Sequence, residues 1–386
     1  MSFKKFLGVF LIAVFFSAVL VIAVGGVLAY RHMQQRFVDV AEGKTFNVCY
    51  VAGRSGGHII PALTHARKSL AENPRARLLF ISTDAPLDRS LVPSAPEVSL
   101  HECLALENVP YGSWRLWPGY FWRVFKSFCQ TAHIFWRYRP LKVVSMGGYV
   151  SVPVVLLAWV LRIPIELYEL NVIPGSAARF LSRFATATVT CFDETKKHLP
   201  PSSRVVRGRY PVRFKESDKI ARAEARKRLG IASRERVLLV VGGSQGSHFF
   251  NTMVPGAVKE LARQLSERIT VLHQTGGGEL ELRRVRSAYG AAAVNAQVFT
   301  FSNNMQLLYA AADLVVARAG AGTIFEVVFF NRKVVLIPLE TTVTDHQLDN
   351  ALAMSHQLPK LITYLRQNNV ERQPNLLVNE LRRSLK

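Results

Sequence analysis

Acidic residues are scarce in this chain: 27 Asp and Glu stand against 49 Lys and Arg in 386 residues, a formal net charge of +22. Such an imbalance points to an anionic partner, whether nucleic acid, an acidic membrane face or a phosphorylated substrate. Cysteine is scarce too. Cys49, Cys103, Cys129 and Cys191 are scattered without C-x-x-C spacing, which argues against a zinc site or a disulfide framework and favours a reducing compartment. No G-x-x-x-x-G-K-[ST] loop occurs, and no Ser, His and acid spacing resembles a hydrolase elbow. Internal repeats and low-complexity segments are absent as well. What remains is a globular composition, 49% hydrophobic and 20% charged, with length enough for two domains that each bury a core.

Phe6 to Tyr30 is an uncharged, mostly apolar run of 25 residues. As a helix it would extend roughly 37 Å, enough to span a bilayer with some tilt. A secretory signal peptide would be shorter, and Val27-Leu28-Ala29 is a poor cleavage site, so the run reads as an uncleaved anchor. Lys4 and Lys5 flank one side and Arg31 and Arg36 the other. The large basic remainder places the body on the cytoplasmic face with the amino terminus outside.

Beyond the anchor, apolar runs alternate with helical patterns in the βαβα manner of an α/β protein with parallel sheets. Strands are expected at 46–51, 77–82, 142–145, 164–168, 187–191 and 204–207. A second series follows at 236–241, 269–273, 297–300, 313–317 and 334–338. Between the two series, Gly208 to Ile231 is polar and charge-rich, with a short basic helix around Ala221 to Leu229. Two Rossmann-like halves joined there would bind ligands at the C-terminal ends of their strands. Residues 111–142 interleave Trp114, Trp117, Trp122 and Trp136 with six Arg and Lys and no acid. Such a segment suits a membrane interface, stacking on single-stranded nucleic acid, or a buried helix whose cations reach out to water; the anchor favours the first.

Several strand ends carry glycine turns. The first, GRSGGH (Gly53 to His58), is not G-x-G-x-x-G, and no acidic residue follows at the distance a ribose contact needs. MGGYVSVP (Met146 to Pro153) is another, and ELYELNVIPG places Glu169 and Asn171 just after a strand. In the second half, Gly242-Gly243-Ser244-Gln245-Gly246-Ser247 precedes a helix that carries Asn251. There a diphosphate could dock on backbone N–H groups, or the turn is only a tight connection. Arg318, Gly320 and Thr323 lead into a helix with Glu326, which suits a ribose diol or simply a helix dipole. Asp345, His346, Gln347 and Asn350 then open a further helix, where they suit sugar hydroxyls or, for Asp345, an ordinary cap.

The order GxxGGH, MGGYVSxP, ExN-x-x-PG, PVR, VVGGSQG, HQTG, RxGAxT-x-x-E and HQ-x-x-NA resembles the bacterial MurG glycosyltransferases of family 28, from about Phe46 to Ala353. The resemblance implies a GT-B fold of two Rossmann-like domains, with acceptor in the first and nucleotide sugar in the second. It implies inverting transfer of N-acetylglucosamine from UDP-N-acetylglucosamine to the C4 hydroxyl of MurNAc in lipid I, giving lipid II for peptidoglycan. By the same resemblance, Gly53, Arg54, Ser55, Gly56, Gly57, Gly147, Gly148 and Tyr149 receive the acceptor diphosphate. His58 is the general base or positioner, and Glu169 and Asn171 are catalytic. The donor falls to Arg213, Gly243, Ser244, Gln245, Gly246, Asn251, Arg318, Gly320, Thr323, Glu326, His346, Gln347 and Asn350. No metal is obligatory, although a divalent cation could stimulate. Partners are the donor, an undecaprenyl-diphosphate acceptor, an anionic membrane and other wall-synthesis proteins, with no nucleic acid.

Departures from the family pattern bear on the acceptor. GGTGGH stands as GRSGGH, placing Arg54 at the diphosphate; HEQN stands as Tyr168-Glu169-Leu170-Asn171, and GNPVR as Arg209-Tyr210-Pro211-Val212-Arg213. A glycolipid transferase with another acceptor, or a catalytically silent membrane scaffold, are the competing readings. The expected organisation is an anchor at 1–36, an acceptor domain at 37–210, a UDP-sugar domain at 211–358 and a tail at 359–386 free to pack back on the first domain. The expected location is the cytoplasmic membrane.

Overall fold

The computed structural model describes residues 47–106, 114–243, 245–340 and 346–385. The expected anchor lies outside them. Among the described residues no helix is long and apolar enough to cross a membrane. The chain forms two compact units: the first runs to Leu170 and resumes over Pro174–Pro211, and the second takes Asn171–Ile173 and then Val212 onward.

The first unit is built on a seven-stranded sheet of order β3-β2-β1-β4-β5-β6-β7. Its strands are β1 Asn47–Val51, β2 Arg77–Thr83, β3 Leu100–Leu104, β4 Lys142–Ser145, β5 Ile165–Glu169, β6 Ala187–Thr190 and β7 Val205–Arg207. Every pairing is parallel. In β1, β2, β4 and β5 the β-branched and leucine runs are largely buried, as a parallel sheet covered by helices requires, while the edge strand β7 leaves Val206 51% exposed. Order reverses between β1 and β4, so the loops after these two strands are neighbours at the C-terminal edge, where α/β sheets place ligands.

The second unit repeats the design with six parallel strands of order β10-β9-β8-β11-β12-β13. They are β8 Arg236–Val241, β9 Ile269–Gln274, β10 Asn295–Phe299, β11 Leu314–Ala317, β12 Lys333–Leu336 and β13 Ile362–Tyr364. Here the switch lies between β8 and β11, which sets the glycine turns after those strands side by side. β3 and β13 were not expected. Both lie at sheet edges; β3 reads LHECL and is largely half-exposed, and β13 is three residues long.

The last residues, set apart above as a tail, are an integral part of the second unit. β13 pairs with β12, and Leu377, Val378, Leu381 and Leu385 of the helix Asn375–Leu385 enter the core that holds Phe250, Val258 and Val335. The aromatic and basic segment forms a helix over Trp117–Tyr138 that is not buried all round. Ser127, Thr131, Ile134 and Phe135 face the core, while Trp122 and Trp136 remain 64% and 54% exposed.

Candidate active site

In the first unit, β1 ends in a turn that glycine makes possible. A Cβ on Gly53 would lie 2.9 Å from Asp88 Oδ2 and within 3.3 Å of Thr83, so no side chain fits. Arg54 follows in the left-handed region at φ 62°, uncommon for a residue with a Cβ. Fully buried Asp88 holds it there. Its Oδ1 accepts the Arg54 backbone N–H at 2.8 Å, while Oδ2 accepts the Thr83 N–H and hydroxyl at 2.9 and 2.6 Å. The Arg54 guanidinium thereby reaches the loop after β4, donating to the Tyr149 hydroxyl at 3.1 Å.

That second loop is held by a closed ring of three hydrogen bonds. Gly147 N–H donates to Ser145 Oγ (3.1 Å), Ser145 to Ser151 Oγ (2.8 Å), and Ser151 to the Gly147 carbonyl (2.6 Å). Gly147 and Gly148 take φ of 77° and 79°, which brings Gly148 against the His58 ring; a Cβ there would lie 3.7 Å from His58 Nδ1. Thus the structure brings together Gly53, Arg54, His58, Gly148 and Tyr149. Ser55 is the N-cap of the helix Gly56–Glu72, so Gly56, Gly57 and His58 form its first turn, where N–H groups favour an anion. Burial lowers the His58 pKa, partly offset by the ring N–H donated to the Gly53 carbonyl. The ring is therefore neutral near pH 7, and the nitrogen that does not donate carries a lone pair able to take a proton.

Glu169 ends β5 with its carboxylate buried, and Oε2 accepts the Gly175 N–H at 3.1 Å. In this position it holds the turn that leads into the helix Ser176–Leu181. Tyr168, at a family-variant position, uses its hydroxyl on His65 Nε2 at 2.8 Å, whose other nitrogen bonds Tyr50 at 2.9 Å.

In the second unit a cleft of about 690 Å³ opens above the turn after β8. Of the expected donor residues, Gly243, Gln245, Gly246, Arg318, Gly320, Thr323 and Gln347 line it. Ser244 lies outside the described residues. The cleft faces the start of the helix His248–Gln264, capped by Ser247, whose hydroxyl accepts the Phe250 N–H. Two loops meet beneath it, backbone to backbone. A Cβ on Gly246 would lie 1.8 Å from the Thr275 carbonyl oxygen, and one on Gly276 would lie 2.2 Å from Gln245. The glycine of the HQTG motif is explained by that approach.

Four of the expected donor residues carry hydrogen bonds or ion pairs within the protein. Arg318 lines the cleft but is buried, donating to the Ile337 carbonyl (3.1 Å), Gln367 (2.8 Å) and Ser247 Oγ (2.9 Å), and burial lowers its pKa to about 10. Buried Asn251 donates to the Thr275 carbonyl and Glu281, both at 3.1 Å, and accepts from His273 at 3.1 Å. Glu326 carries Arg213 at 2.7 Å and the Tyr309 hydroxyl at 3.1 Å. Burial raises its pKa against the pull of Arg213. Asn350 is wholly buried, bonded to Asn171, Val172 and Ala319. His346 begins its helix outside the cleft lining. Sequence reasoning missed His248, Thr252, Gln367 and Glu371, which line the cleft but stand in no glycine turn.

Among the described residues no group of three His, Cys, Asp or Glu is placed to hold a metal.

Comparison with known proteins matches residues 48–190 to the glycosyltransferase family 28 N-terminal domain and residues 237–386 to the family 28 C-terminal domain. A protein of Anaeromyxobacter sp. (strain K), named UDP-N-acetylglucosamine–N-acetylmuramyl-(pentapeptide) pyrophosphoryl-undecaprenol N-acetylglucosamine transferase, is 34% identical over 307 residues, 78% of this chain and 76% of that protein. One of the same name from Symbiobacterium thermophilum is 33% identical over 79% of each. In fold, the crystal structure of Acinetobacter baumannii MurG matches with a TM-score of 0.69 at 24% identity, covering 89% of this chain and 91% of that one. A UDP-glucosyltransferase from Polygonum tinctorium matches at 0.61 and 15%. With both domains matched in order, on two Rossmann-like sheets that each present glycine turns at the switch point, the chain belongs to glycosyltransferase family 28.

Proposed function

We propose that the chain transfers N-acetylglucosamine from UDP-N-acetylglucosamine to the C4 hydroxyl of MurNAc in lipid I, with inversion, giving lipid II. The observation that carries this reading is the 690 Å³ cleft at the glycine turn after β8, in a chain 34% identical over 307 residues to a transferase named for that reaction. The cleft has the size of a nucleotide-sugar site and a helix start for its diphosphate.

In this mechanism the lone pair of His58 takes the proton of the acceptor hydroxyl as the oxygen attacks the anomeric carbon. The Arg54 guanidinium and the first turn of Gly56–Glu72 hold the acceptor diphosphate. The backbone of Gly243 to Gly246 holds the donor diphosphate and stabilises departing UDP, so no metal is required for the step. Arg213 and Glu326, now paired with each other, part when the donor arrives: the cation turns to the diphosphate and the carboxylate to the ribose. The run Phe6 to Tyr30 anchors the protein in the cytoplasmic membrane, and the helix Trp117–Tyr138 lays Trp122 and Trp136 into the headgroup layer beside its cations. Its partners are then the donor, the lipid-linked acceptor, an anionic leaflet and other wall-synthesis proteins.

The test is transfer of labelled N-acetylglucosamine to lipid I in detergent by the full-length protein, with other lipid-diphosphate sugars alongside. Product on lipid I is expected. Bound donor without product on lipid I would overturn the reading, and product on another lipid would assign that acceptor instead.

A further inference from the structure

Buried Asn251 is the middle of a polar chain that runs from the core of the second unit to the wall of the cleft. The Thr275 carbonyl accepts from its Nδ2, which fixes the amide flip, so its Oδ1 accepts the Nε2–H of His273. Burial pushes the His273 pKa down to about 3. That ring is therefore neutral, and its Nδ1 accepts the Tyr289 hydroxyl at 2.9 Å. At the other end, Asn251 Nδ2 also donates to Glu281 Oε1 at 3.1 Å. Glu281 stands on the helix Glu279–Ala291, and its Oε1 lies 3.6 Å from Nδ1 of His248, the first residue of the helix His248–Gln264. The His248 side chain is 75% exposed and lines the cleft.

We infer that His248 binds the donor diphosphate as an imidazolium, and that Glu281, held by Asn251, is the residue that positions it. This rests on the nucleotide-sugar site proposed above and adds to it a ligand that no glycine turn supplies. With donor bound, the ring stands between two anions: Nδ1–H faces the Glu281 carboxylate and Nε2–H the diphosphate. Both favour the charged ring, and a neutral ring cannot donate from both nitrogens. Donor binding therefore takes up a proton from solvent wherever the free ring lacks one. Glu281 itself has Arg284 3.8 Å from its second oxygen. The other charged groups of the cleft lining are Arg318, engaged with Ser247 and Gln367, and Glu371, which accepts from Gln367 at 2.8 Å. Among the described residues that line the cleft, His248 is the only imidazole, so it is the group from which a proton uptake there would come.

The experiment is calorimetry of UDP-N-acetylglucosamine binding to the full-length protein near pH 6 and near pH 8, in buffers of different ionisation enthalpy. The proteins are the parent, His248→Ala, His248→Lys and Glu281→Gln. The donor's diphosphate does not titrate in this range, so proton uptake reports on the protein. The parent is expected to bind about fivefold more tightly at the lower pH. His248→Ala should bind there as weakly as the parent does at the higher pH, with its share of the uptake gone. His248→Lys should bind tightly at both, because its charge does not switch, and Glu281→Gln should take up less proton than the parent. Equal pH dependence in the parent and His248→Ala overturns the diphosphate role, as does His248→Lys binding no better than His248→Ala. Uptake by Glu281→Gln equal to that of the parent overturns the positioning role. Donor bound with the expected pH dependence, but without transfer to lipid I, overturns the reaction alone; a parent that binds no donor overturns the site and the inference together.

Discussion

His58 is the residue on which the proposed chemistry turns, and its environment predicts a pH profile. Burial lowers its pKa below the ordinary 6.5, so the neutral, proton-accepting ring persists to lower pH than a free histidine would allow. The acid limb of kcat/KM is expected below pH 6.5 and should vanish with His58→Ala, whose turnover should drop about 10²–10⁴-fold. A profile unchanged by the substitution would assign the proton transfer elsewhere. Stability has the same sign: between the lowered and the unfolded pKa the unfolded chain binds more protons, so this contribution strengthens as pH rises through that window. Arg54 offers a separation of stability from function. Arg54→Gly relieves a left-handed residue worth about 1 kcal/mol, so Tm should hold or rise, while acceptor KM rises as the guanidinium is lost. Unchanged acceptor KM would remove Arg54 from the diphosphate site.

At the scale of elements, the loops are held by buried groups that a motif cannot reveal. Asp88→Asn would turn an NH2 toward one of the donors that its carboxylate now accepts, costing about 1–3 kcal/mol and loosening the first glycine turn. A lowered urea midpoint with acceptor KM raised and donor KM kept is the expected signature. Gly246→Ala has nowhere to place its methyl, 1.8 Å from the Thr275 oxygen, and should abolish donor binding measured by calorimetry. The main strands were legible because fully covered strands are apolar runs. β3 and β13 were not, since an edge strand needs little apolar surface, and three residues set no period. Glycine turns were legible for the same reason that they exist: only glycine permits the approach of Gly246 to Thr275. The fate of nearby polar side chains was not. Asn251 and Arg318 stand beside those turns, and Asn350 in the first turns of a later helix, as ligands would in sequence, and only the folded chain shows their hydrogen bonds spent on Thr275, Ser247 and Val172.

For the molecule as a whole, the net charge of +22 predicts binding to anionic vesicles that weakens with salt, with a salt-resistant part if the proposed anchor at Phe6 to Tyr30 inserts. Removing residues 1–36 should leave donor binding intact and make vesicle co-sedimentation fully salt-sensitive; salt-resistant binding by the shortened protein would place the apolar attachment elsewhere. Legibility at this scale was mixed. Two halves could be read from two series of strands, but the three-residue visit of Asn171–Ile173 to the second unit left no mark in composition. That visit has a consequence for how the protein is made. Asn350 must wait on a ribosome for nothing, because Asn171 and Val172 emerge nearly 180 residues before it, yet they are useless until it arrives. A C-terminal half expressed from Val212 onward would therefore bury an amide stripped of two partners, and the two halves should fold well only as one polypeptide or when supplied together.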